Sequence, residues 1–136
     1  MRSEYLLYPL LAHVLLALLL YALLTLSRAS AVWGLGKTSA RMQSFKALEP
    51  RINANLSNQF EWPMMFYAVC VLLMSKYPLV GTGYLWAAWV FVGGRLVHSW
   101  VQVFSGNVRL RGLIFTINFV AVLMMWLLLI FQIASS

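Results

Sequence analysis

Three groups of polar and ionisable side chains interrupt a chain that is otherwise strongly apolar. Members of the first two groups recur every three or four residues, a spacing that places them on one side of a helix. The third group has two arginines at the start of an apolar stretch and an amide two helical turns further along. The groups are Arg51, Asn55, Asn58 and Glu61; Arg95, His98 and Gln102; and Arg109, Arg111 and Asn118.

These residue types suit a site for an anionic ligand beside an apolar co-substrate. Arginine binds carboxylates through two parallel hydrogen bonds and stays charged, and a nearby cation lowers the pKa of a thiol from about 8.5 to below neutrality. Glutathione, with two carboxylates and one thiol, fits such a site. Three other interpretations stay open: a purely structural Glu61–Arg95 ion pair, a hydrogen bond from His98 to a neighbouring helix, and lipid headgroup contacts of Arg109 and Arg111.

The elements that must hold these groups are membrane helices. Of the 136 residues, 62% are hydrophobic and 10% are charged, whereas a soluble domain has about 45–50% apolar and about 25% charged residues. Four stretches approach the roughly 20 residues that a helix needs to cross a bilayer. We therefore expect an all-α integral membrane four-helix bundle, one transmembrane domain over residues 1–136, with helices at about 5–26, 50–75, 84–104 and 111–133, the second beginning near Pro50.

The distribution of Lys and Arg predicts how the helices cross the membrane. Seven of these residues lie in the first and third links, and two lie on the opposite side; the seven are Arg28, Lys37, Arg41, Lys46, Arg51, Arg109 and Arg111, and the two are Arg2 and Lys76. The positive-inside rule then places both basic links in the cytoplasm and both termini outside. We expect a bacterial inner membrane or its equivalent, and we interpret the net charge of +7 as a topology signal, with no nucleic acid partner.

Three local patterns carry a resemblance to a known family. They are Arg51 followed by Asn58-Gln59-Phe60-Glu61-Trp62-Pro63, then Arg95-Leu96-Val97-His98, and then Arg111-Gly112-Leu113, sixteen residues after Arg95. In this order, and on the predicted helices, they resemble the MAPEG family, the membrane-associated proteins in eicosanoid and glutathione metabolism. The resemblance covers nearly the whole chain and is closest to the microsomal glutathione transferase type.

The resemblance implies a homotrimer that binds glutathione as co-substrate between subunits and acts on apolar electrophiles as a transferase or peroxidase. Arg111 would be the catalytic arginine that stabilises the thiolate, and no metal would be needed. The residues implied in ligand binding are Arg51, Asn58, Glu61, Arg95, His98 and Gln102, with Arg95 paired to Glu61.

The chain departs from the family pattern at three positions. Gln102 stands where the family usually has a tyrosine that touches the ligand, and Ala54 and Ser57 stand where further arginines are often found. These departures favour an alternative function, a non-catalytic lipid- or ligand-binding membrane protein with the same fold. Arg111 together with Asn58 and Glu61 favours the enzyme.

Overall fold

The fold is entirely helical in the part of the chain that the computed structural model describes, residues 1–34 and 40–135, with the side chains of residues 30 and 31 also left undescribed. A short 3-10 turn at Ser3–Leu6 leads into the first helix. The helices are α1 (Leu7–Val32), α2 (Ala40–Lys46), α3 (Glu49–Asn58), α4 (Pro63–Lys76), α5 (Thr82–Phe104) and α6 (Val108–Ala134). The predicted all-α bundle is confirmed.

The four predicted spans correspond to α1, to α3 together with α4, to α5, and to α6. Within the described ranges, two helices are long and apolar enough to cross a membrane. They are Ser3–Ala29, with a mean hydropathy of 2.3, and Val108–Ala134, with a mean hydropathy of 2.6. The third span, α5, has 23 residues and is long enough, but it carries the polar stripe of Arg95, His98 and Gln102. The 14 residues of α4 extend about 21 Å, so the second span needs α3 as well.

The second span differs from our prediction of one continuous helix over 50–75. Helix α3 ends at Asn58, residues 59–62 form turns, and α4 starts at Pro63. Proline has no backbone N–H, and its ring clashes with the carbonyl of the residue four positions earlier, which here is Gln59. The helix therefore stops before Gln59 and restarts with proline at its first position, where the missing N–H costs nothing.

Helix α1 extends six residues beyond the predicted end at residue 26. Its last turns are held by tertiary contacts, because Arg28 Nε donates to Glu49 Oε1 at 2.7 Å, at the start of α3. Gly34 follows the helix end with a φ of 70°. This left-handed conformation is one that glycine adopts without strain, and it often terminates helices.

The two ends of the bundle are formed by different parts of the chain. At one end the terminal amine of Met1 donates to Val80 O at 2.8 Å, and Tyr84 Oη donates to Gln132 Oε1 at 3.0 Å. Both termini therefore lie near the α4–α5 loop. The other end contains α2, the start of α3 and the α5–α6 loop, which are the basic links of the sequence. Which end faces the cytoplasm stays a prediction.

A layer of buried polar side chains separates two apolar clusters. The first cluster includes Leu6, Phe66 and Met125, and the second includes Leu16 and Ile52. Between them, along the helices that they share, lie five polar residues that are all at least nine-tenths buried: His13, Asn55, Gln59, Arg95 and Ser99. The polar layer lies next to the cavities described below.

Candidate functional site

Two cavities adjoin each other at the basic end of the bundle. The mouth cavity has a volume of about 290 Å³ and is lined by Pro50, Arg51, Ala54, Gln102, Ser105, Gly106, Asn107, Val108 and Arg111. The inner cavity has a volume of about 330 Å³ and is lined by Asn58, His98, Val108, Arg111, Gly112 and Phe115. Arg111 and Val108 line both cavities, so Arg111 stands at their junction.

The start of α6 sets the position of Arg111. Asn107 caps the helix by accepting a hydrogen bond from Leu110 N at its Oδ1, at 3.0 Å, and Ser105 Oγ accepts one from Asn107 N at 3.2 Å. Arg111 therefore lies in the first turn of α6, where the helix dipole adds partial positive charge. Its guanidinium is exposed and forms no hydrogen bond or ion pair within the described ranges. It is thus available to a ligand.

Polar side chains of α3 and α5 form the opposite walls. Asn58 Nδ2 donates to Gln102 Oε1 at 3.2 Å, which connects a residue of the inner cavity with one of the mouth cavity. Arg51 Nη1 donates to Val103 O at 3.4 Å, a long contact that leaves most of its guanidinium donors unused. These walls therefore present mainly hydrogen-bond donors.

No acidic side chain lines either cavity. The chain has three acidic residues; two of them, Glu4 and Glu49, form ion pairs with Arg2 and Arg28, at 2.6 and 2.7 Å. The third, Glu61, is exposed on the surface of the chain and belongs to neither cavity. Two arginines without an opposing carboxylate favour the binding of an anion.

Five of the seven predicted site residues line these cavities: Arg51, Asn58, His98, Gln102 and Arg111. Arg95 and Glu61 do not. Arg95 is 1% exposed and lies in the polar layer, where its Nε donates to Gln59 Oε1 at 3.1 Å and its Nη2 donates to Asn58 O at 2.8 Å.

The predicted Glu61–Arg95 ion pair is not formed as a direct contact, because the described part of the chain has ion pairs only at Arg2–Glu4 and Arg28–Glu49. The charge of Glu61 acts on Arg95 from a longer distance. The turn at residues 59–62 explains the difference. A continuous helix would have kept Glu61 on the face of Asn58, whereas the turn brings the Gln59 amide and the Asn58 carbonyl to Arg95 and leaves Glu61 outside.

Sequence reasoning missed the role of Gln59 and Ser99 in the polar layer. Gln59 has four polar partners there, Asn55, Ser99, His13 and Arg95. The signal that could have found Gln59 is its place four residues before Pro63, where a helix loses a backbone hydrogen bond.

Four buried polar atoms have no hydrogen-bond partner in the described residues. They are Trp62 Nε1, His98 Nδ1 and both amide atoms of Asn118. His98 is 3% exposed and lines the inner cavity, so its unpartnered nitrogen belongs to a residue of the candidate site. An unpaired buried polar atom is costly at membrane depth, which makes His98 a candidate for ligand contact.

An apolar groove of about 600 Å³ lies between α5 and α6, nearer the other end of the bundle. Its walls include Trp86, Val90, Ile117, Val120 and Met124. It begins on α6 at Thr116, directly after Phe115 of the inner cavity. Apolar surface therefore follows the inner cavity along α6.

Comparison with known proteins identifies the family. A model of the MAPEG family matches residues 6–131 of the chain, nearly its whole length. The comparisons with curated proteins and with solved structures gave no match. The matched range includes both cavities and the polar layer, and it extends from the start of α1 to near the end of α6. The chain therefore belongs to the MAPEG family, and it is an integral membrane protein of the kind that acts in eicosanoid and glutathione metabolism.

Proposed function

We propose that the protein is a glutathione-dependent transferase or peroxidase that acts on apolar electrophiles, with Arg111 as the catalytic residue. The observation that carries this proposal is the placement of Arg111. Its exposed guanidinium lies at the junction of two cavities, in the first turn of α6, without a partner from the described residues. A side-chain cation and a helix N-terminus both stabilise a thiolate relative to a thiol.

The lining residues fit glutathione as the co-substrate. Arg51 and Arg111 supply two cations for its two carboxylates or for one carboxylate and the thiolate, and no acid of the chain faces them. Asn58, His98 and Gln102 supply neutral hydrogen-bonding groups for its peptide bonds and amine. The mouth cavity opens beside the basic links, where a water-soluble anion would enter.

Glutathione supplies the sulfur nucleophile. In the transferase reaction the thiol proton leaves to water, and Arg111 holds the resulting sulfur anion. The sulfur lone pair then forms a bond to the electrophilic carbon, whose leaving group departs with its bonding electrons. In the peroxidase reaction the same anion attacks a peroxide oxygen, the O–O bond breaks, and the alkoxide leaves and takes a proton to become the alcohol. The glutathione sulfenic acid that results is attacked at sulfur by a second glutathione thiol, which forms the disulfide and releases water.

The electrophile would reach the site from the lipid. Phe115 and Gly112 line the inner cavity beside Arg111, and α6 continues from there as a strongly apolar span. An apolar co-substrate concentrated in the bilayer could therefore meet the thiolate in the inner cavity, away from bulk water.

A homotrimer belongs to the same proposal. Glu61 is exposed at the surface of the single chain in the middle of the second span, and a carboxylate facing lipid is unfavourable by several kcal/mol at the bilayer centre. A neighbouring subunit would cover it. Native mass spectrometry in mild detergent should detect trimers, and a spectrum with monomers alone would contradict this part.

The decisive experiment measures glutathione ionisation on the purified protein. Adding millimolar glutathione near neutral pH should raise the melting temperature and produce thiolate absorbance in the ultraviolet, because a ligand that binds only the folded state stabilises it. Arg111→Ala should abolish the absorbance. Arg109→Ala is the matched control, since Arg109 is an exposed arginine of the same helical turn that lines neither cavity.

A second candidate is a non-catalytic lipid- or ligand-binding protein of the same fold. Two lining residues favour it: Ala54 makes the mouth cavity less cationic than the family pattern, and Gln102 stands in place of the tyrosine that would touch the ligand. A wild-type protein with neither glutathione-dependent stabilisation nor a thiolate signal would exclude the transferase and leave this candidate.

A further inference from the structure

The break in the second span creates a problem that the surrounding side chains solve. A helix leaves its last four carbonyl groups without partners of its own. At membrane depth there is no water to donate hydrogen bonds to these carbonyl oxygens, and each unsatisfied backbone group costs several kcal/mol. In α3 these four carbonyls belong to residues 55–58.

All four carbonyls have donors. Gln59 N donates to Leu56 O, and Phe60 N donates to Ser57 O, both at 3.0 Å, by tightening the chain into a turn. The remaining two carbonyls are served by side chains. Gln59 Nε2 donates to Asn55 O at 3.2 Å, and Arg95 Nη2 donates to Asn58 O at 2.8 Å. The charge of Arg95 also stands at the negative end of the α3 dipole.

Gln59 uses both ends of its side-chain amide. Its Oε1 accepts from Arg95 Nε at 3.1 Å and lies 3.0 Å from His13 Nε2, while its Nε2 also donates to Asn55 Oδ1 at 2.9 Å and Ser99 Oγ at 3.3 Å. Because the oxygen accepts, His13 must donate from Nε2.

The contact of His13 with α4 follows from that assignment. With its hydrogen on Nε2, His13 accepts the Tyr67 hydroxyl hydrogen at Nδ1, at 2.6 Å. The Gln59 amide therefore ties α1, α3 and α5 to the turn directly, and α4 through His13. An amide side chain has two acceptor and two donor positions, and this one has partners at both ends.

We propose that Gln59 and Arg95 are positioning residues for the candidate site, which hold the turn at residues 59–62 and thereby fix Asn58 at the cavity walls. The inference rests on the proposed function for its ligand. Neither residue lines the mouth cavity or the inner cavity. Each acts through Asn58, whose carbonyl binds Arg95 and whose side chain donates to Gln102. Arg95 is thus assigned to support of the site and not to contact with the ligand.

The geometry shows how a change at Gln59 would reach the ligand. Asn58 is the last residue of α3, one residue before the turn. Its side chain lines the inner cavity and is bonded to a residue of the mouth cavity. A shift of the turn would therefore move a wall shared by both cavities, and displacements of about 1 Å near a reacting group cost up to about 100-fold in rate.

The test uses two substitutions at one position. Gln59→Met keeps the length of the side chain and removes every polar contact. Gln59→Glu keeps an acceptor for Arg95 and His13 but loses the donors to Asn55 and Ser99. We expect glutathione affinity to fall about 3- to 10-fold in both variants, the loss that corresponds to about one hydrogen bond. If the Gln59→Glu variant binds glutathione as tightly as wild type, the site does not need the amide nitrogen of Gln59 as a donor. Arg95 would then need only an acceptor at this position.

A matched control separates positioning from general loss of stability. Tyr84→Phe removes the hydrogen bond to Gln132 between α5 and α6 at the opposite end of the bundle. It should lower the melting temperature while leaving glutathione affinity within about twofold of wild type. If Gln59→Met fails to fold, Ser99→Ala, which removes one polar partner of Gln59, should give a smaller loss of affinity in the same direction.

A ligand-free measurement keeps the proposal separate from the proposed function. Hydrogen–deuterium exchange at the amides of residues 59–62 should be faster in Gln59→Met and Ser99→Ala than in wild type, and unchanged in Tyr84→Phe. Unchanged exchange in the first two variants overturns the proposal, as does faster exchange with wild-type glutathione affinity. A wild-type protein that does not bind glutathione overturns the proposed function, and the exchange result still decides whether Gln59 holds the turn.

Discussion

Helices α5 and α6 approach each other at Gly94, and this contact should not tolerate a methyl group. A Cβ built at Gly94 overlaps the side-chain oxygen of Asn118 on α6 and lies 2.9 Å from its Cγ. Asn118 is 1% exposed, so its side chain is enclosed by the protein and cannot turn out into the surroundings. A Cβ atom added at the preceding residue, Gly93, would have no other atom within 4 Å. Gly93 is exposed and Gly94 is partly buried, so the two adjacent glycines differ in what an added methyl group would meet.

The magnitude follows from two opposing effects. Replacing glycine with alanine inside a helix stabilises it by about 0.8–1 kcal/mol, and both variants gain this amount. Overpacking a buried contact costs about 1–3 kcal/mol, and only Gly94→Ala incurs it. The two variants should thus differ by roughly 1–3 kcal/mol in the free energy of unfolding, or about 5- to 150-fold in the folding equilibrium.

The assay is unfolding in detergent micelles with increasing sodium dodecyl sulfate, followed by circular dichroism. Gly93→Ala should unfold at a higher fraction of sodium dodecyl sulfate than wild type. Gly94→Ala should unfold at a lower fraction than wild type. Adding Asn118→Ala to Gly94→Ala should restore stability, because it opens space and removes a buried amide that has no partner within the described ranges. Equal stability of the two glycine variants would refute the packing argument.

Two further predictions concern the charged residues. In a double-mutant cycle, Glu61→Gln and Arg95→Gln should show a coupling in unfolding free energy within about 0.5 kcal/mol, because Arg95 bonds to Gln59 and Asn58; a coupling of several kcal/mol would restore the ion pair. A reporter fused after Ser136 should score as extracytoplasmic and one inserted near Lys37 as cytoplasmic, and the reverse pattern would refute the topology based on basic residues.

Much of the fold was predictable because its strongest signals are local. Hydropathy and length indicate the spans, and turn residues such as Gly106 and Asn107 mark the link before α6. The end of α1 was not predictable, because the last turns of this helix depend on the contact of Arg28 with Glu49, which lies 21 residues further along the chain. The break before Pro63 was visible in principle, but proline in a membrane helix is also compatible with a simple kink.

The candidate site was predictable to the extent that helical periodicity holds. His98 and Gln102 lie one turn apart on an uninterrupted helix, and both line the cavities. Asn58 belongs to the regular part of α3 and also reaches a cavity wall. Glu61 lies three residues further on, beyond the helix end, where the 3.6-residue period no longer determines which way a side chain faces. The missing direct contact between Glu61 and Arg95 therefore follows from the end of α3 at Asn58.

The polar residues that hold the fold differ from those of the candidate site in whether their hydrogen-bonding groups have partners inside the protein. Around Gln59, donors and acceptors of α1, α3, α4 and α5 are matched inside the protein, and a buried network that is satisfied in this way is rigid and specifies one arrangement. Arg111 and His98 differ, because a guanidinium and a ring nitrogen remain without partners in the described residues. Polar groups at membrane depth need partners. Of the groups that the described residues do not satisfy, Arg111 and His98 line the inner cavity, where a ligand can bind them, whereas Trp62 and Asn118 do not line it.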